Sequence, residues 1–328
     1  MDNYIVITSI NKPTKAIIEF SRFTSYHTIV VGDKKTPDKW KYGNIKFIST
    51  NEQEKLNYQC LKYLPWNHYS RKMIGYLYSA EQGASIIIDT DDDNIPYSDW
   101  SFPDFSGEFY TTGSNNTFFN TYNFYSNKRI WPRGFPLKYA KNKEEVSKNL
   151  NKRNLNVGVW QGLVDGDPDV DAIYRLLDNT PCIFRKKAPL VLDSGTVCPY
   201  NSQNTAIRKE LFPLLYLPAY VNFRFTDILR GLVAQPIMWA AGYNLGFTKA
   251  TVFQERNDHD YMDDFVSEIP CYLYAEKIIE LTSKVVNSNK SVTTNLFNAY
   301  EELVKNKIVQ KKEIEVLTSW IKDISSFM

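Results

Sequence analysis

Residues 85–94 read SIIIDTDDDN, an apolar strand that runs without a break into an acidic turn. Three consecutive isoleucines leave the strand no polar face, as expected in a parallel sheet covered by helices on both sides. Ligands of such sheets bind beyond the carboxyl ends of the strands, so the turn after Ile88 stands where a site belongs. Asp89, Asp91, Asp92 and Asp93 place four carboxylates within five residues. They repel one another unless a cation lies among them, and a hard divalent ion takes one or two carboxylates and completes its shell with substrate phosphates. The competing reading is a solvated acidic turn.

Working outward, residues 4–10 (YIVITSI) form a first apolar strand bounded by Asn11 and Pro13. A helical stretch over 14–23 follows, then a strand from Thr28 to Gly32 ending at Asp33, and a third from Ile45 to Ser49. Ser70 is placed to cap a helix running to Gln82, with Ile74, Leu77, Tyr78 and Glu81 on one stripe and Gly83 as its stop. Strands alternating with helices predict an α/β fold with a largely parallel sheet. No GxGxxG follows the first strand, so the dinucleotide-binding fingerprint is absent. Residues 97–160 are irregular until a strand at Leu155–Val159. Asp167 then reads as the cap of a helix with Pro168 at its first position and Val170, Ile173, Leu176 and Leu177 buried. Short strands are expected at 182–184 and 190–192, and a buried helix over 225–242, interrupted at Pro236. Beyond residue 266 the pattern is helical, with stripes at Phe297, Tyr300, Leu303, Val304 and at Ile314, Leu317, Ile321, Ile324. The expected organisation is a catalytic domain over 1–265 and a helical C-terminal extension over 266–328.

The 328 residues are 43% hydrophobic and 23% charged, which excludes wholesale disorder. Lys plus Arg number 39 against 37 Asp plus Glu, for a net charge of +2, which is no footprint for nucleic acid. Four scattered cysteines without a CxxC, and three histidines, argue against a disulfide framework or structural zinc. The N-terminus lacks signal-peptide features and no run of 18 apolar residues occurs. The expected location is cytoplasmic, with peripheral membrane contact and oligomeric state left open.

Several further residues stand out, each with a plainer alternative. Arg71 and Lys72 in a first helical turn oppose the helix dipole and suit a diphosphate clamp, or are two exposed basic residues. Asp33, at a strand end, suits a base or ribose contact. Asp165, Asp167, Asp169 and Asp171 alternate like a calcium loop, but Val170 and Leu176 replace the Gly and Glu that such a loop needs. Capping and the first-turn dipole explain most of these acids, and a sugar-binding role is the alternative. Asp227, opening the apolar helix in RFTDILRG, is a cap or a general base. His259, in ERNDHD, is a third metal ligand or a surface histidine.

In order, TIVVGDKKTP (28–37), SRKMIGYLYSAEQGASIIIDTDDDN (70–94), VGVWQGLVDGDPDVDAIYRL (157–176) and RFTDILRGLVAQPIMW (224–239) resemble the STELLO family of glycosyltransferase-like proteins. The chain is also similar, more distantly, to the reversibly glycosylated polypeptides, which are UDP-arabinopyranose mutases. The resemblance spans about residues 3–265 and implies a GT-A fold whose acidic motif holds Mn²⁺ or Mg²⁺ against a nucleotide diphosphate. It maps Asp91, Asp92 and Asp93 onto that motif, Asp33 onto the nucleotide contact, and Arg71 and Lys72 onto the basic pair before it. Asp227 falls at the base of inverting enzymes, and Trp160, Asp165, Asp167 and Asp169 on a sugar- or acceptor-binding segment. Thr8 and Ser9 join the donor-side set, Arg230 the sugar side, and His259 joins Asp91 and Asp93 as a metal ligand. The implied function is metal-dependent transfer from a nucleotide sugar, expected to be a UDP-sugar, to a glycan acceptor. The mutases' reactive arginine aligns with GFPLKYA (134–140), which offers Lys138 and Tyr139 but no arginine; the nearest is Arg133. A mutase is the second reading. A haloacid-dehalogenase-type phosphatase using Asp89 and Asp91, with Asp263 and Asp264 as its acidic pair, is a third. A non-catalytic sugar-nucleotide binder is the last.

Overall fold

Strand and helix alternate through the first 90 residues, as their apolar runs predict. The structure, a computed structural model, describes residues 2–112, 117–140, 150–255 and 260–328. It opens with β1 (Asn3–Thr8), α1 (Lys15–Phe20), β2 (Tyr26–Val31), β3 (Lys46–Ile48), α2 (Thr50–Gln53), α3 (Lys72–Glu81) and β4 (Ile86–Thr90). β3, β2, β1 and β4 lie side by side in that order, all parallel. Side-chain alternation divides β1 between two cores, Tyr4 and Val6 on one face, Ile5 and Ile7 on the other. α3 packs so closely on this sheet that a Cβ at Gly75 would lie 2.5 Å from the Val6 side chain. The helix is not the one-sided element its stripe suggested. Residues 72 to 77 are all buried, because the sheet, residues 209–215 and the last helix, residues 313–325, all pack on it.

The chain continues as β5 (Asn94–Pro96), β6 (Ser106–Thr111), α4 (Thr121–Tyr125), β7 (Asn151–Gly166), α5 (Ala172–Leu177), β8 (Leu190–Leu192), β9 (Asn204–Arg208), α6 (Thr226–Ala240) and β10 (Asn244–Gln254). Here the expectation of a largely parallel sheet fails. β9 runs antiparallel between β4 and β7, and β10 runs parallel along the second half of β7 while pairing antiparallel with β8 and β5. Among the described residues the result is one mixed ten-stranded sheet. β7 is sixteen residues long rather than five, because its polar first half, Asn151 to Asn156, pairs with β6 away from the core. That half has no apolar pattern to announce it.

The helix expected from Asp167 begins later. Asp171 caps α5 by accepting from the Tyr174 amide at 2.8 Å, while Leu176 and Leu177 are 53% and 78% exposed. α6 continues through Pro236 without a break. The last elements are α7 (Tyr261–Val285), α8 (Val292–Lys305) and α9 (Glu313–Ser325), so the boundary expected at 265/266 falls inside α7. Buried acids fasten these helices to the rest. Asp323 accepts from the amides of Gln59 and Cys60 at 2.9 and 2.8 Å, and Glu313 from those of Ala219 and Tyr220 at 2.9 Å each. Among the described residues no helix is long and apolar enough to cross a membrane.

Candidate functional site

Two cavities meet at the acidic turn. The first, about 500 Å³, opens at the carboxyl ends of β1 and β2 and is lined by Thr8, Ser9, Asp33, Arg71 and Asp92 among others. The second, about 260 Å³, lies between the turn and the N-terminus of α6, with Asp167, Asp169, Asn201 and Asp227 on its wall. Tyr69, Asp91, Asp93 and Phe223 line both. Of the expected donor-side residues Thr8, Ser9, Asp33, Arg71, Asp91 and Asp92 line the first cavity, whereas of the expected acceptor-side residues Asp167 and Asp169 alone line the second.

The turn is held from three directions. Asp92 accepts from the Ser9 hydroxyl at 2.5 Å and the Asn11 amide at 3.1 Å, and its carbonyl from Thr14. Asp91 accepts from Tyr69 Oη and Lys72 Nζ, both at 2.8 Å. Asp93 accepts from Gln254 Nε2, at the end of β10, at 2.7 Å. Burial, followed by the charges of Asp91 and Asp92, pushes the Asp93 carboxyl up to about 7. The folded chain then holds a proton that the unfolded chain releases near the ordinary carboxylate value, so this residue's contribution to stability falls as pH rises through 7. Asp93→Asn should accordingly gain Tm over the wild type between about pH 5 and about pH 8 in metal-free buffer. A Tm difference that stays constant across that range would contradict the shift.

Asp33 accepts from the Lys34 and His68 amides at 2.7 and 3.2 Å and faces the first cavity. The basic pair is not the exposed clamp expected of it. Lys72 is fully buried, 2.7 Å from Asp89 and 2.8 Å from Asp91. Arg71 is 2% exposed; its Nε donates to Gln53 at 2.9 Å, and its guanidinium stacks 3.5 Å from the Trp66 ring centre. Arg71, the residue just before α3, faces inward: its Nη1 donates to the Leu64 carbonyl at 3.3 Å, and Gln53 and Trp66 close over it. Arg71→Ala should therefore destabilise the fold by roughly 2–4 kcal/mol, through lost packing and an orphaned Gln53 acceptor. Chemical denaturation checks this, and an unchanged midpoint would show the side chain to be free.

Three other expected contacts are structural. Trp160 is fully buried, with its ring against Gly246, where a Cβ would approach to 2.3 Å, and edge-on to Phe109. It cannot face a sugar there. Arg230 points into the core and pairs with Asp89 at 2.8 Å. Asp165 accepts from the Phe184 amide at 2.7 Å and Tyr97 Oη at 3.0 Å, tying β7 to its neighbours. His259 lies outside the described residues.

The second cavity is also lined by Arg133, which the sequence offered only as the arginine nearest GFPLKYA and to which no role was given. Its Nε and Nη2 donate to Asp169 at 2.8 and 2.9 Å, and its Nη1 and Nη2 to Asp227 at 3.1 and 3.0 Å. Burial draws the guanidinium pKa down, but Asp169 and Asp227 outweigh it and hold the group well above its usual value. Asn201 adds a 2.7 Å bond to Asp169, and Arg175 pairs with Asp167. The alternating acids of 165–171 thus serve different ends: strand anchoring, ion pairs at the cavity wall, and a helix cap. Arg133 carried no local signal, since its partners are 36 and 94 positions away.

With this geometry established, comparison with known proteins agrees with the motifs. Residues 224–328 match the family model of the STELLO glycosyltransferases. Two Arabidopsis thaliana relatives, "Probable glycosyltransferase STELLO1" and "Probable glycosyltransferase STELLO2", are each 24% identical to the chain across 98% of its length. The match takes in 44% of each relative, so the chain spans less than half the length of the curated proteins it resembles.

Proposed function

We propose that this chain, similar to the STELLO glycosyltransferases, is a glycosyltransferase of GT-A architecture acting on a nucleotide sugar, with a UDP-sugar as donor. The observation that carries the reading is the shared wall. A strand-end cavity and an inner cavity meet at Asp91 and Asp93, so a diphosphate in the first presents its sugar to the second. Thr8, Ser9 and Asp33 contact the nucleoside end, and Asp227 faces the acceptor hydroxyl as general base.

A divalent ion fits the turn. Burial, and then the neighbouring carboxylates, make charge on Asp93 costly, and a cation held by Asp93 and Asp91 would relieve that cost. Among the described residues no cluster of three protein ligands exists. Two carboxylates suit Mg²⁺ or Mn²⁺, which keep their remaining positions for phosphate and water. When bound, such an ion neutralises charge on the departing diphosphate. Tyr69 and Lys72 fix Asp91 for that role.

The mutase reading gains nothing from Arg133, whose guanidinium is ion-paired and held more firmly protonated than usual. The phosphatase reading needs Asp89 at an open loop, and Asp89 is fully buried between Lys72 and Arg230.

Thermal shift against a panel of nucleotide sugars, with and without Mn²⁺, tests the donor assignment. A UDP-sugar at about 100 times its Kd should stabilise the protein by roughly 2.7 kcal/mol in Mn²⁺, and EDTA should remove the effect. No stabilisation by any nucleotide sugar would overturn the reading.

A further inference from the structure

We propose that His68, beside Asp33, reads the edge of the donor's base and selects uracil over cytosine; this rests on the transferase reading and adds the residue that sets base identity. His68, Asn67 and Asp33 all line the first cavity. The Ser70 amide donates to His68 Nδ1 at 3.1 Å, capping the short turn Tyr69–Arg71, and the Ser70 hydroxyl lies 2.8 Å from the same nitrogen. A backbone N–H only donates, so Nδ1 presents its lone pair, and the single proton of the neutral ring sits on Nε2. Burial draws the imidazole pKa below its ordinary value, against a smaller opposing pull from Asp33, so the ring is neutral at pH 7. Ser70 is fully buried, and with Nδ1 turned to it the Nε2 edge is the one left for the cavity. Among the described residues Nε2 has no hydrogen-bond partner. His68 thus brings one uncommitted donor.

Asp33 supplies the acceptor. One oxygen takes the Lys34 amide and the other the His68 amide, and a carboxylate has about four acceptor sites, so capacity remains for a ligand. The loop that carries His68 is held in place beforehand. Lys34 Nζ lies 5.2 Å and the Arg71 guanidinium 3.5 Å from the Trp66 ring centre, and Asn67 takes a left-handed φ of 53°, which asparagine tolerates better than most residues. Uracil offers an N3–H beside its O4 carbonyl, where cytosine offers a bare N3 and an N4 amino group. Uracil answers the pair at both points: N3–H donates to Asp33, and O4 accepts from His68 Nε2. Cytosine sets a lone pair against the carboxylate and N–H against N–H, and a site built to hydrogen-bond its ligand rejects such an analogue strongly. Val31 and the half-exposed Ile10 add apolar surface for the faces of the base.

Isothermal titration of the protein with UDP and with CDP, both in Mn²⁺, tests this. UDP should bind the wild type at least about 100-fold more tightly than CDP. His68→Ala should cut that ratio about tenfold, the worth of one hydrogen bond. His68→Gln, whose amide turns either a donor or an acceptor to the base, should recover UDP affinity while the ratio stays low. A role confined to capping the turn at Ser70 predicts equal losses for both nucleotides. An unchanged ratio in His68→Ala, or a wild type that binds UDP and CDP alike, would overturn this inference and leave the transferase standing. Absence of UDP binding would overturn the transferase reading itself, and this inference with it.

Discussion

Asp89→Ala is expected to cost about 3–5 kcal/mol of stability, the range for removing one partner from a buried ion pair. Asp89 lies at the end of β4 with no exposure, 2.7 Å from Lys72 and 2.8 Å from Arg230. Both cations are themselves buried. Without Asp89, Arg230 loses its carboxylate partner and Lys72 keeps only Asp91. The same chain of contacts runs from α6 through Asp89 and Lys72 to Asp91 at the cavity wall, so the variant should also loosen the turn that faces the donor. Urea denaturation followed by circular dichroism measures the loss. A midpoint within the scatter of the wild type would show that the ion pairs do not hold the fold.

The second large effect concerns the acceptor side. Asp227→Asn keeps the shape of the side chain but removes its capacity to take a proton. It should leave donor binding intact and lower transfer by roughly 10²–10⁴-fold, the range for general-base removal. Asp227 also receives two bonds from Arg133, so the loss has a competing explanation in a displaced arginine. Asp169→Asn disturbs the same fork from its other side without touching the base. Transfer by Asp169→Asn should fall far less than by Asp227→Asn. Equal losses would reassign Asp227 to the positioning of Arg133.

The parallel half of the fold was legible because its strands are apolar on both faces, and β1, β2 and β4 are read directly from YIVIT, TIVV and SIII. The mixed half was not. β9 is five residues long, and the outer part of β7 is polar because only β6 lies beside it there. The acidic turn and Asp33 were found by their position after strands, which the cavities respect. Arg71 and Lys72 were assigned outward roles from their place at a helix start, and Trp160 and Arg230 from the family resemblance, but burial is decided by elements that pack from far along the chain. Residues 209–215 and α9 pack on α3, and β10 brings Gly246 against Trp160. Arg133 was missed for the same reason, since its meaning lies in carboxylates distant in sequence.

In the proposed function the two cavities sharing the Asp91–Asp93 wall are the donor and acceptor halves of one transferase site. A crystal structure of the protein with Mn²⁺ and the best-stabilising UDP-sugar tests it most directly, the ion being located by anomalous scattering. The account predicts the nucleoside beside Asp33 and Ser9, the ion and diphosphate at Asp91 and Asp93, and the sugar's anomeric carbon facing Asp227. A nucleotide bound outside the strand-end cavity, or an ion peak away from both aspartates, would contradict it.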